Sequence, residues 1–304
     1  MASSSDTLSA LRRYEDGEAG LFEEFAERRL GPGGAFALLA GPLAERQALA
    51  WAICPTVGPE QGNLRRLEAL VARRLAAAGF EVVRIRPDVH PLHGDIALPT
   101  RLAELAEAVE LLRGRGAGPV GLIGTLFGGT VAALLAERIE IPALALVEPV
   151  VRGRQYARGL LRREAVATLM AGDEGDAEGP KRELAATGRV SIRGLQLTQE
   201  AYDTIAAVDL TGELRTFAGS SLLVGISPSG ETPPGLGRLR DRLVELGGEV
   251  TVAGIADPLY APLGEYYYRE AGLLRLDTRL ELDGRVADTV AGWALDRAAA
   301  SAPA

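Results

Sequence analysis

The stretch GLIGTLFGG, residues 121–129, decides how the rest of the chain is read. Its first half is a short apolar run of the kind that forms a buried strand. Its second half opens into GTVAALLAERI, a helical pattern, with glycine at 124, 128 and 129 around the junction. A strand that becomes a helix within so few residues must turn sharply, and small residues two before and two after the tip let the two backbones approach. The side chain displayed at that tip is Leu126.

Working outward, the neighbouring segments alternate between two periods. ALAWAIC (48–54) is an apolar run ending at Pro55, and NLRRLEALVARRLAAAGF (63–80) carries Leu64, Leu67, Leu70, Val71 and Leu75 at helical spacing and stops at Gly79. FEVVRIRP reads as a strand, RLAELAEAVELLRGRG as a helix, and PALALVEP as a strand. Regular strand–helix alternation implies a mostly parallel sheet covered on both faces. After Pro149 the alternation pauses. An Arg-rich helix, the polar segment AGDEGDAEGPKRE, expected as a mobile loop, and GLQLTQEAYDTIAAVDL fill the gap. SSLLVGIS, GLGRLRDRLVELGG, EVTVAGI and VADTVAGWALDRAA then resume the pattern. The expected organisation is a core over 35–150 and 218–298, a small helical cap inserted at 151–217, and an N-terminal extension over 1–34.

Composition narrows the classes of function. With 304 residues, 47% of them hydrophobic, the chain can bury one large core. A net charge of −8 argues against a nucleic-acid partner. Arginines cluster in LRRLEALVARRL and VVRGRQYARGLLRRE, as solvated helix faces or, in the second stretch, as a patch for an anionic ligand or peptide. No apolar run reaches membrane-spanning length and the first residues lack a signal-peptide pattern, so a cytoplasmic location without membrane association is expected. Cys54 stands alone, which rules out an internal disulfide. Neither a cofactor nor a metal is expected.

The order of elements and the turn at 124–128 together resemble the α/β-hydrolase fold over roughly residues 35 to 298. ICPTVGPEQGNLRRLEALVARRLAAAGFEVVRI, EPVVRGRQYARGLLR and GISPSGE look like the exosortase-associated hydrolases within it. The resemblance implies an α/β fold with a doubly wound sheet and a nucleophile at the tip of a GxSxG elbow, followed in chain order by an acid and a histidine. Gly124 and Gly128 hold the two glycine places, and Leu126 holds the nucleophile's. After SLLVGIS the chain offers Ser227 and Ser229, with Glu231 too late. After VTVAGI it offers Asp257 and Tyr260. The two histidines of the chain, His90 and His93, precede all of these.

Leucine has no lone pair and cannot form an acyl intermediate. Thr125 points away from the tip, whereas the backbone amides of Phe127 and of the Thr56, Val57, Gly58 turn remain able to face an oxyanion. What chemistry is left falls to proton carriers. His93 is read either as a structural loop residue or as a proton carrier or substrate contact, with His90 the weaker candidate beside it. Two histidines around Pro91 lack an evident third metal ligand. Asp257 is either a base or an ordinary turn residue before Pro258. Glu148 is either part of the site or an ion-pair partner for Arg152 or Arg154. EYYYRE (265–270) fits packing, a homodimer surface or the wall of an apolar pocket.

Three functional readings follow. The first is a non-hydrolytic catalyst, an epimerase, isomerase or cyclase acting by proton transfer on a peptide or small natural product. It is similar, in its missing triad and in the bulky apolar residue at the tip, to the peptide epimerase of bottromycin biosynthesis. The second is a noncatalytic binding or scaffold protein. The third is a hydrolase with a relocated triad. Catalysis is assigned to His93, Asp257 and Glu148. Substrate contact is assigned to Thr56, Val57, Gly58, His90, Thr125, Leu126, Phe127, Ser227 and Tyr260.

Overall fold

A computed structural model describes residues 13–26, 29–58, 60–87, 97–170, 176, 178–257 and 276–300. Its centre is a nine-stranded sheet. In chain order the strands are β1 (Arg13–Asp16), β2 (Leu21–Phe25), β3 (Phe36–Pro42), β4 (Ala50–Cys54), β5 (Val82–Arg86), β6 (Val120–Thr125), β7 (Ala143–Val147), β10 (Ser220–Ser227) and β11 (Val250–Ala256). Their spatial order is β1-β2-β3-β5-β4-β6-β7-β10-β11. The first four pair antiparallel and the six from β5 to β11 run parallel. The stretch expected as an extension before residue 35 therefore contributes β1 and β2 to the sheet. Arg73 fastens them by bonding Glu23 and Asp16 at 2.5 and 2.6 Å.

Helices α1 (Glu60–Ala77) and α9 (Leu276–Ala300) cover one face, and α2 (Leu98–Gly114) and α3 (Phe127–Ala136) the other. The pattern of α1 explains its placement: Leu64, Leu67, Val71 and Leu75 are all buried, an acid opens its first turn, and the chain leaves it at Gly79 with φ 95°. Trp51 of β4 meets Phe80 and Trp293 with ring centroids 6.3 and 5.8 Å away, which seals this side of the core. The parallel strands β4, β6 and β7 are buried along their whole length, as strands covered on both faces must be.

Between β7 and β10 the chain builds α4 (Gly153–Met170), α5 (Gly179–Thr187), the hairpin β8 (Arg189–Ile192) and β9 (Leu195–Thr198), α6 (Gln199–Ala207) and the short α7 (Leu210–Glu213). Part of the polar segment expected as a loop is α5. Pro180 lies in its first turn, Leu184 is buried, and Gly188 ends it at φ 74°. The hairpin turns at Arg193 and Gly194, with φ 50° and 82°. These paired positive values suit the twist of a two-residue connection. After β10 comes α8 (Pro234–Glu245), which packs Leu236, Leu239 and Leu243 inward. No helix among the described residues is long and apolar enough to cross a membrane.

Candidate functional site

The carboxyl ends of the parallel strands converge at one rim, the place where open α/β sheets bind ligands. Backbone hydrogen bonds step along that rim. The Leu126 N–H donates to the Val147 carbonyl (2.9 Å), the Glu148 N–H to the Val224 carbonyl (2.8 Å), and the Asp257 N–H to the Ser227 carbonyl (2.8 Å). The ends of β6, β7, β10 and β11 are thereby tied into one row, which carries Leu126, Glu148, Ser227 and Asp257.

Leu126 has φ 46° and ψ −119°, the strained conformation of a strand-to-helix tip, and is 8% exposed. The glycines around it are there for close approach. A Cβ on Gly124 would overlap the Gly128 carbonyl, and one on Gly128 would overlap the carbonyls of Cys54 and Pro55. The first turn of α3 thus lies directly against the turn that leaves β4, where Thr56, Val57 and Gly58 are all buried and Gly58 takes φ 69°. Two backbone segments rich in N–H groups meet here, at the starts of α1 and α3.

A buried carboxylate braces that meeting from beneath. Glu68 of α1 accepts a hydrogen bond from the Thr125 hydroxyl at 2.8 Å. Burial pushes its carboxyl up to about 7, against the pull of this bond, of Arg84 on β5 and of the nearby Thr56 backbone N–H. Thr125, placed in the site by sequence, thus directs its hydroxyl to Glu68.

Above the tip lies a second buried group that the sequence reading missed. Phe127 stacks on Tyr156 of α4, with ring centroids 5.5 Å apart and planes 5° from parallel. The Tyr156 hydroxyl donates to Glu60 at 2.6 Å, and the Arg163 guanidinium donates to the other oxygen of Glu60 at 2.6 Å. Burial, then the adjacent carboxylate, raise the Tyr156 hydroxyl well above its ordinary value and keep it protonated. The Thr56 hydroxyl lies beside this pair without a hydrogen bond of ordinary geometry. Glu60 follows the 56–58 turn by two residues, so the group joins α4 to the start of α1 beside the rim. Its members lie 96 and 103 positions apart in the chain, and no local signal links them.

Asp257 is 5% exposed at the end of β11. Glu148 is half-buried with φ 47°, a second non-glycine residue in a strained conformation at this rim. Ser227 donates its hydroxyl to the Glu231 carbonyl at 2.9 Å. His90, His93, Tyr260 and the EYYYRE stretch lie outside the described residues.

No protein-family model matches this chain, and no curated protein matches it. Solved structures do. Est1E from Butyrivibrio proteoclasticus is similar over 91% of this chain and 99% of its own, at 16% identity and a TM-score of 0.57. An esterase of Pyrobaculum calidifontis is similar over 95% and 89%, at 14% identity and a TM-score of 0.53. The carboxylesterase EstE1, cloned from a metagenomic library, is similar over 89% and 88%, at 16% identity and a TM-score of 0.53. Strand order, elbow and these likenesses agree: the chain has the α/β-hydrolase fold, the fold of these carboxylesterases.

Proposed function

We propose that this chain uses the α/β-hydrolase scaffold without a nucleophilic triad, and that it acts on a peptide or small natural product by proton transfer, as an epimerase, isomerase or cyclase does. The observation that supports this reading is Leu126 at the tip of the elbow, in the strained geometry that displays a nucleophile in hydrolases. Acylation needs a heteroatom with a lone pair at that place, and leucine supplies only methyl groups. The neighbouring hydroxyls are engaged elsewhere, Thr125 with Glu68 and Ser227 with the Glu231 carbonyl.

Proton abstraction next to a carbonyl needs a base and donors for the developing enolate oxygen. Asp257 at the end of β11 and Glu148 at the end of β7, with β10 between them, are the base candidates, and His93 is added on sequence grounds. The amides of Phe127 and of the 56–58 turn are the donors. The apolar floor of Leu126 and Phe127 excludes water and strengthens both effects. The reading includes a likeness to exosortase-associated hydrolases, an analogy with the bottromycin-type epimerase and a place in the cytoplasm.

A binding or scaffold role is the second reading. It is favoured by the Glu60, Tyr156 and Arg163 group, whose hydrogen bonds are made within the protein and tie α4 to the start of α1. A relocated triad is the third. A fluorophosphonate probe and an activated ester separate the third from the others: no labelled or acylated side chain is expected, and an adduct at the rim overturns the proposal. Deuterium uptake at the α-carbon of peptides, followed by mass spectrometry in heavy water, separates the first two. Uptake that disappears in Asp257→Asn or Glu148→Gln supports catalysis. Ligand binding without uptake assigns the binding role.

A further inference from the structure

Helix α4 has two working faces. The inner one brings Tyr156 and Arg163 to Glu60. The outer one presents Arg154, Arg158 and Arg162, all exposed and each four positions after the last. One helical turn at that step advances about 6 Å along the axis, so the three guanidinium groups form a ridge about 12 Å long. None of the three is joined to an acidic side chain among the described residues, whereas Lys181 and Arg182 of the adjoining α5 pair with Glu178 and Asp176. Like charges at this spacing work against the helix that carries them. The ridge also stands out on a chain whose net charge is −8. Beyond Arg162 the same side of α4 continues into Val166 and Leu169, exposed at 48% and 47%.

We propose that this ridge docks an acidic peptide segment ending in an apolar side chain. Carboxylates on alternate residues of an extended peptide recur every 6.6 Å or so, and those one turn apart on a helix recur every 6 Å or so, which match the ridge. The apolar end would cover Val166 and Leu169. A nucleic acid or an anionic bilayer fits poorly, because either carries its charge well past 12 Å while the chain as a whole is acidic, with a net charge of −8. The inference rests on and deepens the peptide reading of the rim, since the helix that carries the ridge also stacks Tyr156 on Phe127 beside the tip. Docking itself requires no catalysis.

The test is fluorescence anisotropy of a labelled peptide with alternating glutamate and serine ending in two leucines. A lysine-for-glutamate peptide, a single-stranded oligonucleotide and phosphatidylserine vesicles serve as competitors. The full chain should bind the acidic peptide, lose affinity as salt rises, and lose about tenfold in the Arg154→Gln, Arg158→Gln, Arg162→Gln triple variant. Arg158→Gln alone, a milder exposed change, should show an intermediate loss. Unchanged affinity in the triple variant with an unchanged thermal midpoint overturns the proposal, as does stronger binding of the oligonucleotide or the vesicles. Docking that survives while α-carbon exchange is absent would reject the catalytic reading alone.

Discussion

The Tyr156 hydroxyl and the Glu60 carboxylate meet at 2.6 Å, and that bond ties α4 to α1, the helix that begins beside the rim. Tyr156→Phe keeps the stack on Phe127 and removes only the donor. A buried carboxylate that loses one partner costs about 1–3 kcal/mol, so the thermal midpoint should fall by several degrees. Arg163→Gln should cost a similar amount. The double variant should fall short of the sum, because both residues act on one acceptor. Additive losses measured by thermal unfolding would show that the two bonds act independently.

Glu68 should give stability a pH dependence of unusual sign. Its folded value is about 7, above the ordinary 4.5, so between those values the folded chain holds a proton that the unfolded chain releases. The benefit is present below about pH 4.5 and is lost as pH rises through 7. Glu104, buried under the turn at Gly31 and Gly33, is also raised to about 7 by its burial and adds in the same direction. Thermal midpoints across pH 5 to 8 should decline, and Glu68→Gln should flatten part of the decline while keeping an acceptor for Thr125. A slope unchanged in Glu68→Gln would remove this residue from the account.

The glycines of the elbow should differ sharply from a glycine in open space. Gly128→Ala forces a methyl against the Cys54 and Pro55 carbonyls, which are backbone and cannot step aside. A loss of about 3 kcal/mol or more is expected in chemical denaturation. Gly62, exposed on α1 with nothing within 4 Å of its missing Cβ, should gain about 0.5–1 kcal/mol on becoming alanine.

Asp257→Asn and Glu148→Gln should separate chemistry from fold. If either is the base, proton exchange at a bound peptide falls by about a hundredfold or more while the melting temperature shifts little. Glu148→Gly relieves the strain of φ 47° and serves as a stability control, with a gain of about 1 kcal/mol expected from the backbone.

The sheet core was legible because burial on both faces leaves uninterrupted apolar runs, as in ALAWAIC and PALALVEP, and because Gly124 and Gly128 mark a turn that few other residues allow. The β1–β2 pair was not, since RYED and LFEEF are short and charged, and their pairing with β3 and bonds to Arg73 link positions far apart in the chain. The β8–β9 hairpin leaves a trace, in the alternation of VSI and LQL around Arg-Gly, but strands of four residues within a polar stretch are too short to stand out. Of the site, Leu126, Ser227 and Asp257 could be placed by counting strands. Glu60, Glu68, Tyr156 and Arg163 could not. Glu68 sits among the arginines of an amphipathic helix, and only the packing of α1 against Thr125 turns it inward.

The leucine at φ 46° also bears on engineering. A serine or cysteine placed at 126 would inherit a seat already bent, flanked by amides and supported from both sides, with no loop to rebuild. The scaffold is therefore a ready chassis for installing a covalent warhead acceptor, and whatever reactivity such a variant gains would measure how much of an esterase resides in its backbone alone.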